Sequence, residues 1–177
     1  QYIMINKWNF QTPTEEELHK RDRLASQLGL SPVVCLLLVQ RGLTTVEEVK
    51  KFFKPSLNDL HDPFLMPDME KAVKRLNKAL GNKEKILIYG DYDVDGTTAV
   101  SLVYKYLRPY SSALDYYIPD RYDEGYGISY KGINYARENG ITLVISLDCG
   151  IKAIEKIEYA KQLGIDFIIC DHHICLL

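Results

Sequence analysis

Five aspartates stand where apolar, strand-like runs end, and the last of them opens a triplet with two histidines. Asp91, Asp93 and Asp95 fall within five residues after Ile86-Leu87-Ile88-Tyr89. Asp148 follows Leu143-Val144-Ile145-Ser146-Leu147. Asp171 follows Phe167-Ile168-Ile169-Cys170 and precedes His172 and His173. In a parallel α/β sheet such positions share the carboxyl edge, where ligands bind. Carboxylates gathered there repel one another unless cations neutralise them, and mixed Asp/His ligation suits Mn²⁺ or Mg²⁺. The chemistry implied is metal-dependent phosphoryl transfer or hydrolysis.

Each residue also has a plainer reading. Of the first three, Asp95 best fits an N-cap ahead of Gly96-Thr97-Thr98, but one helix does not need three caps. Asp148 alone reads equally as a cap or a ligand. His172 and His173 are adjacent, so they cannot point at one spot from a regular element. One is expected to ligate metal and the other to contact the scissile phosphate or leaving group. In Pro119-Asp120-Arg121-Tyr122-Asp123-Glu124-Gly125-Tyr126-Gly127, Arg121 offers a fork to phosphate oxygens. Gly125 and Gly127 let backbone N–H groups approach, and Tyr126 is placed to stack on a base or sugar. Composition alone fits a glycine-rich turn with a solvated arginine equally well. Cys170, His172 and Cys175 match no standard zinc spacing, and Cys170 is expected as the last buried residue of its strand. Tyr104, Tyr106, Tyr116 and Tyr117 fall on core-like positions and are expected to pack.

The elements that must position these residues follow from local signals. Residues 13–17 open a helix with acids in its first turn. Ser31-Pro32 opens a second, closed by Gly42, and Thr45 with Glu48 forms a capping box for a third. Residues 54–67, with three prolines, read as a connecting loop, and Asp68 is expected to cap a helix to about Leu80 with Met69, Val73, Leu76 and Leu80 on one face. From Lys85 the pattern alternates: strands near 85–90, 113–118, 141–147 and 166–170, helices over 96–108, 129–139 and 151–163. This predicts an α/β fold with a doubly wound parallel sheet over residues 85–177, preceded by a helical N-terminal segment over residues 1–84. Strand order is not readable.

Bulk composition narrows the class. At 46% hydrophobic and 26% charged, the 177 residues describe a soluble globular protein. The longest near-apolar stretch, residues 32–39, is too short to span a bilayer, and no basic-then-apolar leader opens the sequence. Four cysteines without a CxxC pair read as reduced thiols, so a cytoplasmic protein with no membrane partner is expected. Residues 1–84 carry 13 Lys/Arg against 11 Asp/Glu, and residues 85–177 carry 9 against 13. Five of those 13 acids are the strand-end aspartates, whose charge bound cations would offset. The net charge of −2 therefore does not exclude a phosphate-rich substrate.

The ordered segments GDYDVDG, IPDRYDEGYG, SLDCGI and DHH resemble the four motifs of the DHH phosphoesterase superfamily, and within it the branch of single-stranded-DNA-specific 5′→3′ exonucleases. The resemblance runs from about Lys7 to His173 and includes the stretch from Gln40 to Val73 ahead of the first motif. It implies phosphodiester hydrolysis in DNA repair and recombination, with single-stranded DNA as partner and a pair of Mn²⁺ or Mg²⁺ ions as cofactor, roughly 4 Å apart. It also implies a ligand set of Asp91, Asp93, Asp95, Asp148 and His172, with Asp148 bridging and Asp171 supporting the histidines. Asp93, Asp95, Asp148, His172 and His173 form the implied catalytic group, while His173 and Arg121 face phosphate. The family continues past DHH with a further metal-binding aspartate and further domains. The chain ending in ICLL is therefore expected to be an incomplete piece with little nuclease activity alone.

Three alternatives remain at this level. One is a DHH phosphoesterase for short oligonucleotides or cyclic dinucleotides. Another is a haloacid-dehalogenase-like phosphatase, since Asp93-Val94-Asp95-Gly96-Thr97 fits its nucleophile motif. The third is a non-catalytic module.

Overall fold

Threonine hydroxyls start two of the first three helices in the computed structural model, which describes residues 12–173. Thr14 and Thr45 each accept from the backbone three residues on, while Glu17 and Glu48 reach back to the cap N–H. Each such cap contributes about 1 kcal/mol. They open α1 (Glu15–Leu28) and α3 (Val46–Phe53), with α2 (Pro32–Gln40) between them. The three helices bury Leu24, Cys35, Leu38, Val39 and Val49. They lie in a first compact unit, residues 1–62.

The second unit, residues 63–177, holds α4 (Met69–Gly81) and the sheet. α4 thus belongs to the same compact unit as the sheet. Leu76, Ala79 and Leu80 of α4 explain why, since they pack with Ile86, Ile88 and Val100 in the core on one sheet face. Arg75 reinforces this, binding Glu84 at 2.8 Å and Asp166 at 2.6 Å. Asp68 stands at the N-cap of α4 with φ of 59° and makes no side-chain capping bond, contrary to expectation.

Four parallel strands follow: β1 (Ile86–Gly90), β2 (Leu114–Tyr117), β3 (Leu143–Leu147) and β4 (Asp166–Cys170), in the order β2-β1-β3-β4. The interleaved helices are α5 (Val94–Leu107), α6 (Tyr130–Glu138) and α7 (Ile154–Gln162). Every residue of β1 and β3 is buried, as central strands covered on both faces require. Leu87, Tyr89 and Val144 pack on one face with Ile133, Ala136 and Ala160 of α6 and α7. Ile86, Ile88, Leu143 and Ile145 pack on the other with α4 and α5. The chain leaves β1 toward β2 and returns past β1 to β3, so the topological switch point lies between β1 and β3. Such crevices are where open α/β sheets bind ligands.

Edge position explains two departures from expectation. Cys170 is exposed because β4 is an edge strand. Tyr116 is 58% exposed on the other edge, and Tyr106 is 68% exposed on the outward side of α5, whereas Tyr104 packs edge-on against Tyr116. Residues 1–11, where the resemblance begins at Lys7, and 174–177, with Cys175, lie outside the described residues. Among the described residues no helix is long and apolar enough to cross a membrane.

Candidate metal centre at the carboxyl edge of the sheet

Strand register assembles the site. Gly90 pairs with Leu147 and Leu147 with Cys170, so the next residues, Asp91, Asp148 and Asp171, follow three neighbouring strands off the sheet at the same level. Each meets a different environment there.

Asp91 is fully buried. Its Oδ1 accepts from the Tyr92 N–H at 2.8 Å and more distantly from the Gly127 N–H at 3.5 Å. Its Oδ2 has no hydrogen-bond donor among the described residues. A buried, half-satisfied carboxylate costs several kcal/mol unless a cation compensates it. Asp93 is the N-cap of α5, accepting from the Asp95 N–H at 3.1 Å and the Gly96 N–H at 3.0 Å. The cap is thus Asp93 and not Asp95, and α5 starts at Val94. Asp95 sits exposed in its first turn.

Asp148 adopts the left-handed conformation (φ 61°), and its N–H donates to the Cys170 carbonyl at 2.8 Å. It caps no helix, because α7 begins six residues later, at Ile154, behind Ala153. Its Oδ1 lies 3.0 Å from Nε2 of His172. Asp171 is almost wholly buried. Burial pushes its carboxyl up, but the N–H groups of His173 and Ile151 and the His173 ring outweigh this and hold it below the ordinary 3.8. An ionised Asp171 accepts from His173 Nδ1 at 2.6 Å, so that in the neutral imidazole Nε2 is the acceptor. Asp148, His172 and His173 each bring one ligating atom within 4.8 Å of the others. The histidines therefore converge rather than diverge, their rings 4.6 Å apart, because the backbone after β4 is no longer a regular strand. Asp91, Asp93 and Asp95 are outside that group of three.

Two neighbouring side chains register the negative field. Tyr126 is pushed up to about 12, by burial first and then by Asp91, Asp148 and Asp93. Buried Cys149 is also pushed up to about 12, by burial and then by Asp91, Asp171, Asp148 and Asp93. A cation is the natural counterpart of that field.

The loop of residues 120–129 borders the site. Tyr126 meets Tyr92 and His173 edge-on, at 6.0 and 6.3 Å between ring centres, and Arg121 stacks 5.4 Å above the Tyr92 ring. Gly125 and Gly127 take φ of 76° and 81°, which side-chain-bearing residues rarely adopt. From below, the Tyr89 hydroxyl donates to the Gly127 carbonyl at 2.9 Å and accepts from the Ser129 N–H at 3.1 Å. Replacing Tyr89 by phenylalanine leaves both groups unpaired in a buried place, so a loss of about 1.5 kcal/mol is expected. For a chain of this size that lowers the melting temperature by about 4 °C, and an unchanged melting curve would rule the bridge out as a contributor. Glu124 escaped the sequence reading. Its carboxylate accepts from Tyr117, Ser129 and the Asp120 N–H, and its only sequence signal was its place inside the DRYDEGYG segment.

Residues 85–176 match the family described as DHH family, N-terminal domain. The single-stranded-DNA-specific exonuclease RecJ of Bacillus subtilis is 41% identical over 167 residues, covering 94% of this chain and 21% of that protein. RecJ of Escherichia coli is 33% identical over 147 residues, covering 82% and 25%. A crystal structure of RecJ in complex with Mn²⁺ from Thermus thermophilus superposes with a TM-score of 0.63 at 23% identity, covering 89% of this chain and 21% of that one. A second structure, of exonuclease RecJ bound to manganese, gives a TM-score of 0.56 at 29% identity, covering 62% and 29%. The chain thus spans about a fifth to a quarter of the length of these curated relatives.

Proposed function

This chain belongs to the DHH family, and from that membership we propose that it carries the metal-binding part of a phosphodiesterase acting 5′→3′ on single-stranded DNA in the cytoplasm. The observation that carries the reading is the register-aligned trio Asp91, Asp148 and Asp171, with a buried Asp91 oxygen that finds no donor among the described residues and both histidines gathered beside Asp148. The donor set suits a divalent cation of the Mn²⁺ or Mg²⁺ type, because oxygens dominate and one or two imidazoles join them.

Asp91, Asp93, Asp95, Asp148 and His172 would hold two such ions. Bound ions would supply charge neutralisation at phosphate and a lowered pKa for water. Asp171 fixes the His173 tautomer, so that Nε2 is available as an acceptor toward a substrate or leaving-group proton. Arg121 offers five donors to phosphate oxygens, and Tyr126 and Gly127 border the place where a nucleotide would lie. The phosphatase alternative, with Asp93 as nucleophile, finds no support. Asp93 Oδ1 is engaged by two N–H groups at the head of α5, and Asp91 holds the strand-end position.

Calorimetric titration with Mn²⁺ tests the proposal. The parent protein is expected to bind the ion, and Asp148→Ala to bind it about a hundredfold more weakly, the scale for losing a ligand with its hydrogen-bonded neighbour. Absence of binding in the parent, or equal binding in both, would sink the assignment.

A further inference from the structure

A buried acid in a glycine-rich surface loop is unusual, since a solvated turn needs no carboxylate and burying one is costly. The Glu124 side chain is only 4% exposed. Three elements send donors to it. The Tyr117 hydroxyl of β2 lies 3.0 and 2.9 Å from its two oxygens, and the Asp120 N–H at the loop's start lies 2.9 Å away. Ser129, the N-cap of α6, donates its hydroxyl to Oε2 and accepts from the Gly132 N–H at 2.9 Å. Burial pushes the carboxyl up, yet these donors, with the Lys131 ammonium 4.0 Å from Oε1, hold it below the ordinary 4.5.

We propose that Glu124 is a positioning residue, holding the 120–129 loop so that Arg121, Tyr126 and the Gly127 N–H meet the phosphate at the metal centre. The proposal rests on the metal–phosphate reading above. Its path through the structure is continuous: Glu124 holds Ser129, and the Ser129 N–H reaches the Tyr89 hydroxyl. That hydroxyl holds the Gly127 carbonyl, and the Gly127 N–H faces Asp91. Arg121 and Tyr126 lie between the two anchored ends. Both Glu124 oxygens are occupied by protein donors, so Glu124 is neither a metal ligand nor a proton acceptor for substrate. Lys156 adds a tie from α7 to the Ile128 carbonyl, which keeps the loop's far end in place when Glu124 is changed.

The test compares the parent with Glu124→Gln and Glu124→Ala by three readouts: melting temperature, amide hydrogen exchange at Ser129, and binding of thymidine 5′-monophosphate to the Mn²⁺-loaded chain. Glutamine keeps the shape but loses a charged acceptor. It is expected to leave melting within about 4 °C of the parent, while Ser129 exchange speeds and nucleotide affinity falls, each about tenfold. Mn²⁺ affinity is expected to change less than about threefold, because no ligand is touched. Alanine should move exchange and nucleotide affinity further in the same direction. Nucleotide binding equal to the parent in Glu124→Gln overturns the proposal, whatever exchange does, because Glu124 is then a structural anchor only. If the Mn²⁺-loaded parent itself takes up no nucleotide, the metal–phosphate reading fails and this proposal with it. The parent arm alone separates that case.

Discussion

Asparagine at position 91 is expected to abolish most Mn²⁺ binding while leaving the metal-free protein at least as stable as the parent. The two effects have one cause. Asp91 is fully buried, and among the described residues one of its oxygens has no donor and no cationic side chain hydrogen-bonds to it. Removing a charge in that position relieves a desolvation cost. The asparagine carbonyl retains the bond from the Tyr92 N–H, so the fold has little reason to suffer. Metal binding loses a charged ligand, and an affinity drop of about a hundredfold corresponds to about 2.7 kcal/mol. In the parent, Mn²⁺ at a hundred times its dissociation constant stabilises by a similar amount, which raises melting by about 5–10 °C. That rise should vanish in Asp91→Asn. Calorimetry together with melting curves taken with and without Mn²⁺ checks both halves. A variant that binds Mn²⁺ like the parent removes Asp91 from the ligand set, and one that melts lower without metal shows its charge to be compensated already.

What could be read along the chain was whatever depends on near neighbours. The helix start at residues 13–17 and the capping box at Thr45 rest on neighbours within a few residues and appeared where expected. The apolar runs of β1 and β3 betray central strands because both their faces are covered. With four such runs alternating with helices, the carboxyl edge followed, and with it the gathering of Asp91, Asp148 and Asp171. Features decided by backbone angles or by strand order were not legible. Asp93 rather than Asp95 caps α5 because the helix starts two residues earlier, a shift that leaves the residue pattern unchanged. The left-handed turn at Asp148 frees it from capping α7, and nothing in LDCGI announces it. Cys170 looked buried until β4 proved to be an edge. Glu124 and Ser129 depend on Tyr89 and Tyr117 of two other elements, so their roles emerge only when the sheet has formed.

Alanine at Gly96 sets two such levels against each other. Within a helix, alanine is favoured over glycine by about 1 kcal/mol, so local propensity predicts a gain. Here the added Cβ would lie 2.4 Å from the Asp91 carbonyl oxygen, 2.6 Å from its nitrogen and 2.8 Å from its carbonyl carbon. All three are backbone atoms and none can swing aside. The facing glycine is equally tight: a Cβ at Gly90 would meet Val100 at 2.4 Å and the Gly96 carbonyl oxygen at 2.8 Å. The close seating of α5 on the end of β1 therefore needs both glycines, and relief requires the helix to move off the strand. Overpacking of this kind costs about 3 kcal/mol, which exceeds the propensity gain and leaves a net loss of about 2 kcal/mol. The expected result is a melting temperature about 4–8 °C lower. Since the displaced segment carries Asp91, Asp93 and Asp95, Mn²⁺ affinity should fall by at least about tenfold as well. Gly81→Ala is the control: it ends α4 with nothing within 4 Å of the added carbon and no positive φ, so it is expected to be neutral or stabilising by up to about 1 kcal/mol. If Gly96→Ala melts with the control and binds Mn²⁺ like the parent, the tight joint between β1 and α5 does not govern the site. If the two variants separate in both readouts, the geometry of one glycine contact sets where three of the carboxylates stand.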